Sequence, residues 1–222
     1  MEIVDYSKVK IGMIISMEND GSWIGNRIVK YQEMMGFSPG ASGQTHIAVS
    51  IGGPYIVEAT FPKSRVSDLR VDHQGRRLIF LYNKTQIFRD KCRYKFALWC
   101  ATRVNLPYGV FQLAGFYVKL IWPFGKSNPL ASGNTPVCSY LPAWAMRRLG
   151  LDCWPGVATG DIVPAHYLSS PCFEIVQVGG EQSGRVGGGC LDGRGGRLDP
   201  SGSVEDPIAA GRLPAIGRVM PG

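Results

Sequence analysis

Cys138, His46 and Glu58 are the three residues whose types and positions could carry out nucleophilic chemistry. Cys138 stands at the start of a segment with helical periodicity, where unpaired backbone N–H groups and the helix dipole favour a thiolate. A thiolate nucleophile needs a general base, and the base needs a third group that holds its tautomer. His46 can be that base and Glu58 that third group. The alternative is that Cys138 is a small buried hydrophobe and His46 a structural histidine.

His46 and Glu58 lie on two predicted strands within residues 45–60, THIAVSIGGPYIVEAT. A three-residue loop, Gly52 to Pro54, would place His46 opposite Thr60 and put His46 and Glu58 on one face of the hairpin. A two-residue loop would shift the register by one and separate them onto opposite faces. The alternation of apolar and polar residues favours the longer loop.

The other two histidines are weaker candidates for the base. His73 stands in the polar turn VDHQGRR and is predicted to be solvated, whereas His166 follows Pro164 in a predicted loop and is the reserve catalytic residue. The remaining cysteines are predicted to be structural, and their scattered positions without CxxC spacing argue against a zinc ribbon and a disulfide framework. We therefore expect reduced thiols at Cys92, Cys100, Cys153, Cys172 and Cys190.

Apolar periodicity predicts an α+β domain over residues 1–178. The predicted strands cover 11–17, the hairpin, 76–83 and 172–178, with a further short strand before 76; the predicted helices cover 21–36, 89–104, 108–122 and 137–149. From Gly179 onward the sequence is rich in Gly, Pro and charge and has no periodic apolar face. Residues 179–222 are therefore predicted to be a tail that is flexible or docked on a partner.

Composition narrows the possible partners. The chain has 222 residues, 45% hydrophobic content and a formal net charge of +7, which biases its surface towards anionic partners. The basic residues are dispersed and no nucleic-acid motif is present, so no nucleic-acid partner is expected. No apolar run is long enough for a transmembrane span, and no signal peptide is recognised. We expect a cytoplasmic or virion-associated protein that needs neither a metal nor another cofactor.

The order of the candidate residues resembles a known family. His46, a polar residue 12 positions later and a distant helix-start cysteine are similar to the circularly permuted branch of the NlpC-type, papain-like cysteine hydrolases. Within that branch the chain resembles the YiiX/YaeF-like amidases and their relatives, the lecithin retinol acyltransferase-like enzymes. The matching pieces are THIAV with VEAT, LPYG, VCSYL and TGDIVPAHYLSSPCFEIV, and together they span residues 11–178.

The resemblance implies a permuted papain-like fold in which an antiparallel sheet packs against helices. It also implies Cys138 as nucleophile, His46 as base and Glu58 as third residue. Tyr108 in LPYG and Tyr140 beside the nucleophile are predicted to bind substrate, although Tyr140 stands where family members often carry an acidic or amide residue. The implied activity is that of a thiol peptidase or amidase, acting on a peptidoglycan peptide or an isopeptide.

Two alternatives stay open. A lipid acyltransferase or thioesterase would be favoured if aromatic residues around Trp122 to Phe124 formed an apolar mouth. A protein of another class, a non-catalytic component of a virion or secretion apparatus, would dock through residues 179–222. A cell-wall substrate predicts a polar groove beside Cys138, whereas a lipid substrate predicts a deep apolar one.

Overall fold

The computed structural model describes residues 4–85, 90–121, 128, 130 and 134–178. The predicted tail at 179–222 and the aromatic segment Trp122 to Phe124 lie outside the described residues. Among the described residues, no helix combines the length and the apolarity needed to cross a bilayer.

A six-stranded antiparallel sheet forms the centre of the described chain, in the spatial order β4-β3-β2-β1-β5-β6. The β2–β3 hairpin therefore lies beside β1 rather than at an edge. The predicted strands are confirmed to within a few residues. Their bounds are β1 (Ile14–Glu18), β2 (Gln44–Gly52), β3 (Tyr55–Glu58), β4 (Arg65–Asp68), β5 (Leu78–Asn83) and β6 (Phe173–Val176).

Seven α-helices connect the strands in the described residues. They are α1 (Trp23–Met34), α2 (Pro39–Ser42), α3 (Leu69–Asp72), α4 (Asp90–Ala101), α5 (Val110–Ile121), α6 (Tyr140–Arg148) and α7 (Pro164–Ser169). The four long helices agree with the prediction, but α2 and α7 replace predicted loops. Both short helices begin with a proline, whose fixed φ suits the first helical position.

Both faces of the sheet are buried. Ile47, Val49 and Val57 point to one side, where they pack with Phe96 of α4 and Leu141 of α6. The opposite side holds a second apolar cluster that includes Ile15, Met17, Ala48, Ile56 and Phe80. Alternation along the strands thus divides the hairpin as predicted, and the helix that follows Cys138 covers the first side.

The hairpin reaches the predicted register by a different turn. Ala48 pairs with Glu58 and Ser50 with Ile56, as the three-residue loop would require. The prediction of that loop was wrong, because Gly52 pairs with Tyr55 across two residues, and a bulge between Ser50 and Gly52 absorbs the remaining one. Gly52 has a φ of 116° in this turn, a conformation that favours glycine. The bulge keeps His46 and Glu58 on one face.

A buried glutamine fixes the entry into β2. Gln32 of α1 donates from Nε2 to the carbonyl oxygens of Ser42 (2.8 Å) and Gln44 (2.9 Å). Its Oε1 accepts the Ala165 N–H of α7 at 2.7 Å. The Gln32 side chain thereby joins α1 and α7 to the start of β2, where Gln44 lies two residues before His46.

Candidate active site

His46 and Glu58 form a close pair across the hairpin. His46 Nε2 lies 2.7 Å from Glu58 Oε2, and the exposed fractions of the two side chains are 12% and 1%. Glu58 stands directly opposite Ala48, so His46 is its diagonal neighbour on the same face. The predicted pair is therefore brought together by the strand register.

Cys138 lies in the turn immediately before α6, two residues ahead of Tyr140. The Leu141 N–H donates to the Val137 carbonyl at 3.3 Å, so a helical turn already encloses the cysteine. Its Sγ is 4.0 Å from the Thr45 carbonyl oxygen, and it accepts hydrogen bonds from the backbone N–H groups of Ile47 and Ser139. The nucleophile is thus held between the start of α6 and the start of β2.

The Cys138 thiol and the His46 imidazole are electrostatically coupled, and each shifts the pKa of the other. Burial raises the pKa of the Cys138 thiol, but the His46 charge, its hydrogen bond and the two backbone donors outweigh burial and lower the pKa overall. Burial lowers the pKa of His46, but Cys138 and Glu58 together raise it to about 9. Both directions favour a thiolate–imidazolium pair.

Glu58 is the anchor of this arrangement. Its Oε1 accepts from Ser67 Oγ at 2.5 Å and from Arg65 Nε at 3.1 Å, while Oε2 accepts from His46 and from His73 Nε2 at 3.0 Å. Burial raises the pKa of the carboxyl, but the two histidines lower it well below its usual range. Glu58 is therefore an ionised carboxylate that has donors on both oxygens.

The prediction that His73 is solvated was wrong. His73 is 7% exposed, and its ring stacks on that of His46 with centroids 6.0 Å apart. The chain turns back after β4 through α3 and carries His73 under Glu58. Local composition gives no signal for this contact, because it depends on the pairing of β4 with β3.

Tyr108 lies beside the nucleophile, and its hydroxyl interacts with the Cys138 side chain. Burial, together with the charges of Cys138 and Glu58, raises the pKa of Tyr108 well above its usual value, so the hydroxyl stays protonated and can donate. The Tyr108 N–H donates to the Pro62 carbonyl at 3.0 Å. A Cβ on Gly109 would overlap the Thr135 carbonyl oxygen, so only glycine fits beside this tyrosine.

Two cavities are lined by members of the candidate triad, one by His46 and the other by Cys138. A polar cleft of about 170 Å³ is lined by His46, Tyr108 and His73 together with Asp20 and Arg76. A second, apolar cavity of about 30 Å³ contains Cys138 and Ser139 in its wall, opposite Tyr31, Phe116 and Val163. Tyr140, also predicted to bind substrate, lines neither cavity.

The reserve residue, His166, lies apart from this cluster. Its Nδ1 accepts the Val163 N–H at 3.1 Å within α7, and its ring packs edge-on against Phe37 at 4.8 Å. Burial lowers its pKa. The structure thus places His166 as a helix-capping residue rather than in the predicted loop.

No family model matches the chain, and no curated protein matches it. Within the described part of the chain, no group of three or more His, Cys, Asp or Glu residues has a geometry suited to a metal ion.

Proposed function

We propose that this chain is a cysteine hydrolase that cleaves an amide bond through an acyl-enzyme on Cys138, and that its fold is the circularly permuted papain-like fold. The single observation that carries the proposal is the arrangement of Cys138, His46 and Glu58, in which the imidazole lies 2.7 Å from the carboxylate and is electrostatically coupled to the thiol. The order of the elements also supports it, since the strands that bear His46 and Glu58 precede the cysteine-bearing helix.

In the proposed reaction the Cys138 thiolate attacks the carbonyl carbon of the substrate. Glu58 occupies Nε2 of His46, which leaves Nδ1 to face the thiol and to pass a proton to the leaving amine. His46 then takes a proton from the water that hydrolyses the thioester. Glu58 keeps its charge throughout and holds the imidazole in one orientation.

The oxyanion needs donors that are in place before the reaction. The Tyr108 hydroxyl is the side-chain candidate, because it already contacts the Cys138 side chain and stays protonated. The Cys138 backbone N–H, at the start of the helix, is the second candidate.

The two cavities indicate the substrate class. The cavity that contains Cys138 is small and lined by apolar side chains, so it suits a short apolar group better than a long acyl chain. The larger polar cleft, with Asp20 and Arg76 in its wall, suits a polar leaving group. A peptide or isopeptide of the cell-wall type fits a small apolar cavity beside a larger polar cleft better than a lipid does. The lipid acyltransferase or thioesterase alternative relied on Trp122 to Phe124, which lie outside the described residues.

Covalent labelling distinguishes the proposed cysteine hydrolase from a non-catalytic assembly component. The full chain is treated with a peptide carrying an acyl electrophile at about neutral pH, and the modified residue is mapped by mass spectrometry. Labelling at Cys138 is expected to disappear in Cys138→Ala and to slow at least roughly tenfold in His46→Ala. Cys92→Ala is the matched control and is expected to label normally.

Hydrolysis is then measured as amine release from cell-wall peptides with the same variants. Amine release that persists in Cys138→Ala would rule out the proposed nucleophile. An assembly role would leave Cys138 dispensable and would make removal of residues 179–222 the damaging change.

A further inference from the structure

Cys153 and Cys172 lie next to each other although they are far apart in sequence. The Ser170 hydroxyl donates to the Cys153 carbonyl oxygen at 3.1 Å and accepts the Cys172 N–H at 3.3 Å, so one side chain bridges the two backbones. The two thiols also interact electrostatically, and burial together with Cys172 raises the pKa of Cys153. Both thiols are free in this structure.

The same pair is anchored to the end of β5. Asn83 Nδ2 lies 3.7 Å from Cys153 Sγ, and the Lys84 N–H donates to the Cys172 carbonyl at 3.0 Å. Asn83, the last residue of β5, and Lys84, which follows it, thereby contact one cysteine each. These contacts restrict the backbone positions of both cysteines, and a disulfide forms only between backbone positions that suit its geometry.

The two thiols differ in accessibility. Cys153 is 5% exposed, whereas Cys172 is half-buried. An external disulfide therefore reaches Cys172 first, and Cys153 is positioned as the resolving thiol.

We propose that Cys153 and Cys172 are a redox modification site that closes to an intramolecular disulfide when the protein meets a small-molecule disulfide such as oxidised glutathione. The Cys172 thiolate attacks one glutathione sulfur, which forms a mixed disulfide and releases the first glutathione thiolate. Cys153 then loses its proton and attacks the Cys172 sulfur, which releases the second. The protein loses two hydrogens, and one oxidised glutathione becomes two reduced molecules.

The proposed link would close a segment that supports the nucleophile. Between the two cysteines lie Ile162, whose carbonyl accepts the Ser139 hydroxyl at 2.6 Å, and Tyr167, whose hydroxyl donates to the Ser139 carbonyl at 2.6 Å. A disulfide that closes a loop of about twenty residues restricts the unfolded chain and should raise the melting temperature by roughly 5–10 °C. This inference does not depend on the proposed hydrolase activity.

The test uses the full chain carrying Cys138→Ala, which removes the activated thiol from the count. After incubation with oxidised glutathione, the protein is denatured, remaining thiols are blocked, and a protease that cleaves before Asp161 separates the two cysteines. We expect the Cys153 and Cys172 peptides to be joined and to separate on reduction. We also expect the rise in melting temperature to appear in a Cys92→Ser control and to vanish in Cys172→Ser and in Cys153→Ser.

Two results would overturn the proposal. One is a stable glutathione adduct on Cys172 while Cys153 stays a free thiol. The other is a link from either residue to a different cysteine, such as Cys92 or Cys190. Cys172 is half-buried, so Cys172→Ser is expected to fold. If Cys153→Ser does not fold, loss of the melting-temperature rise in Cys172→Ser is the test of the proposal.

Discussion

His73 donates to the same carboxylate oxygen as His46. Their Nε2 atoms lie 3.0 and 2.7 Å from Glu58 Oε2. An ionised carboxylate only accepts, so Nε2 carries the hydrogen in both rings. His46 is therefore held in the orientation that presents Nδ1 to the thiol, and His73 limits how far Glu58 can rotate away from it.

Removal of the His73 donor should impair Cys138 without unfolding the site. In His73→Leu, Oε2 loses one of its two donors, and we expect alkylation of Cys138 by iodoacetamide to slow by roughly tenfold. His73→Gln keeps an N–H on a side chain of similar reach and should stay within about threefold of wild type. Melting temperatures of both variants control for stability. Equal rates in the Leu and Gln variants would assign His73 a packing role only.

Glu58→Gln should move the alkaline limit of hydrolysis to lower pH. The His46 imidazolium supplies the proton for the leaving group, and since its pKa is raised to about 9, activity is expected to fall only above that pH. Glu58 contributes to that rise, so loss of its negative charge lowers the pKa of His46 and shifts the descending limb by about one unit or more. The measurement is kcat/KM against pH.

Glu33→Gln removes the same charge at an exposed position and is the matched control. The descending limb of its kcat/KM profile against pH should not move. Glu58→Gln also inserts an amide among four donors, so its folded fraction is measured at each pH. A descending limb that does not move in a folded Glu58→Gln protein would mean that Glu58 does not set the charge on His46.

Sequence periodicity was sufficient to place His46 beside Glu58, because the side-chain period of a strand is two and one face must be apolar. It did not predict the turn. Without a bulge, two-residue and three-residue loops give opposite registers, but a bulge at Ile51 lets the shorter loop reach the register of the longer one. A bulge depends on φ values and on the neighbouring strand, and the alternation of apolar residues does not encode either.

The partners of the triad were harder to predict than the triad itself. Tyr108 was assigned to the substrate only by resemblance, and its contact with Cys138 depends on how the 107–109 segment crosses Thr135 and Pro136. The polar residues around His73 in the sequence predict an exposed side chain, but the structure buries it. Both contacts join segments that are distant along the chain, so no local sequence pattern predicts them.

Tyr108→Phe should reduce the rate of hydrolysis far more than Tyr140→Phe. Each substitution removes one hydroxyl, but only Tyr108 places its hydroxyl at Cys138. Loss of one oxyanion donor typically lowers kcat by about 100-fold, and we expect that order for Tyr108→Phe with little change in KM. Tyr140→Phe should remain close to wild type. Comparable losses in the two variants would remove Tyr108 from the oxyanion site.

Gln32→Leu should lower the free energy of unfolding more than the same substitution of an exposed glutamine. Gln32 is fully buried, and its loss leaves the Ser42 and Gln44 carbonyls and the Ala165 N–H without their partner. Since each buried unsatisfied group costs about 1–3 kcal/mol, and neighbouring groups relax in part, we expect the free energy of unfolding to fall by roughly 2–5 kcal/mol. Denaturant unfolding measures it.

The exposed Gln74→Leu is the control for this experiment and should stay within about 0.5 kcal/mol of wild type. The position of Gln32 adds a second expectation, because the bonds it makes set the start of β2 just ahead of Thr45 and His46. If those bonds hold the base against the nucleophile, Cys138 alkylation should slow in Gln32→Leu even under conditions where the variant is fully folded. An unchanged alkylation rate in the folded variant would mean that the β2 ladder alone, through the pairing of Met17 with His46, positions the imidazole.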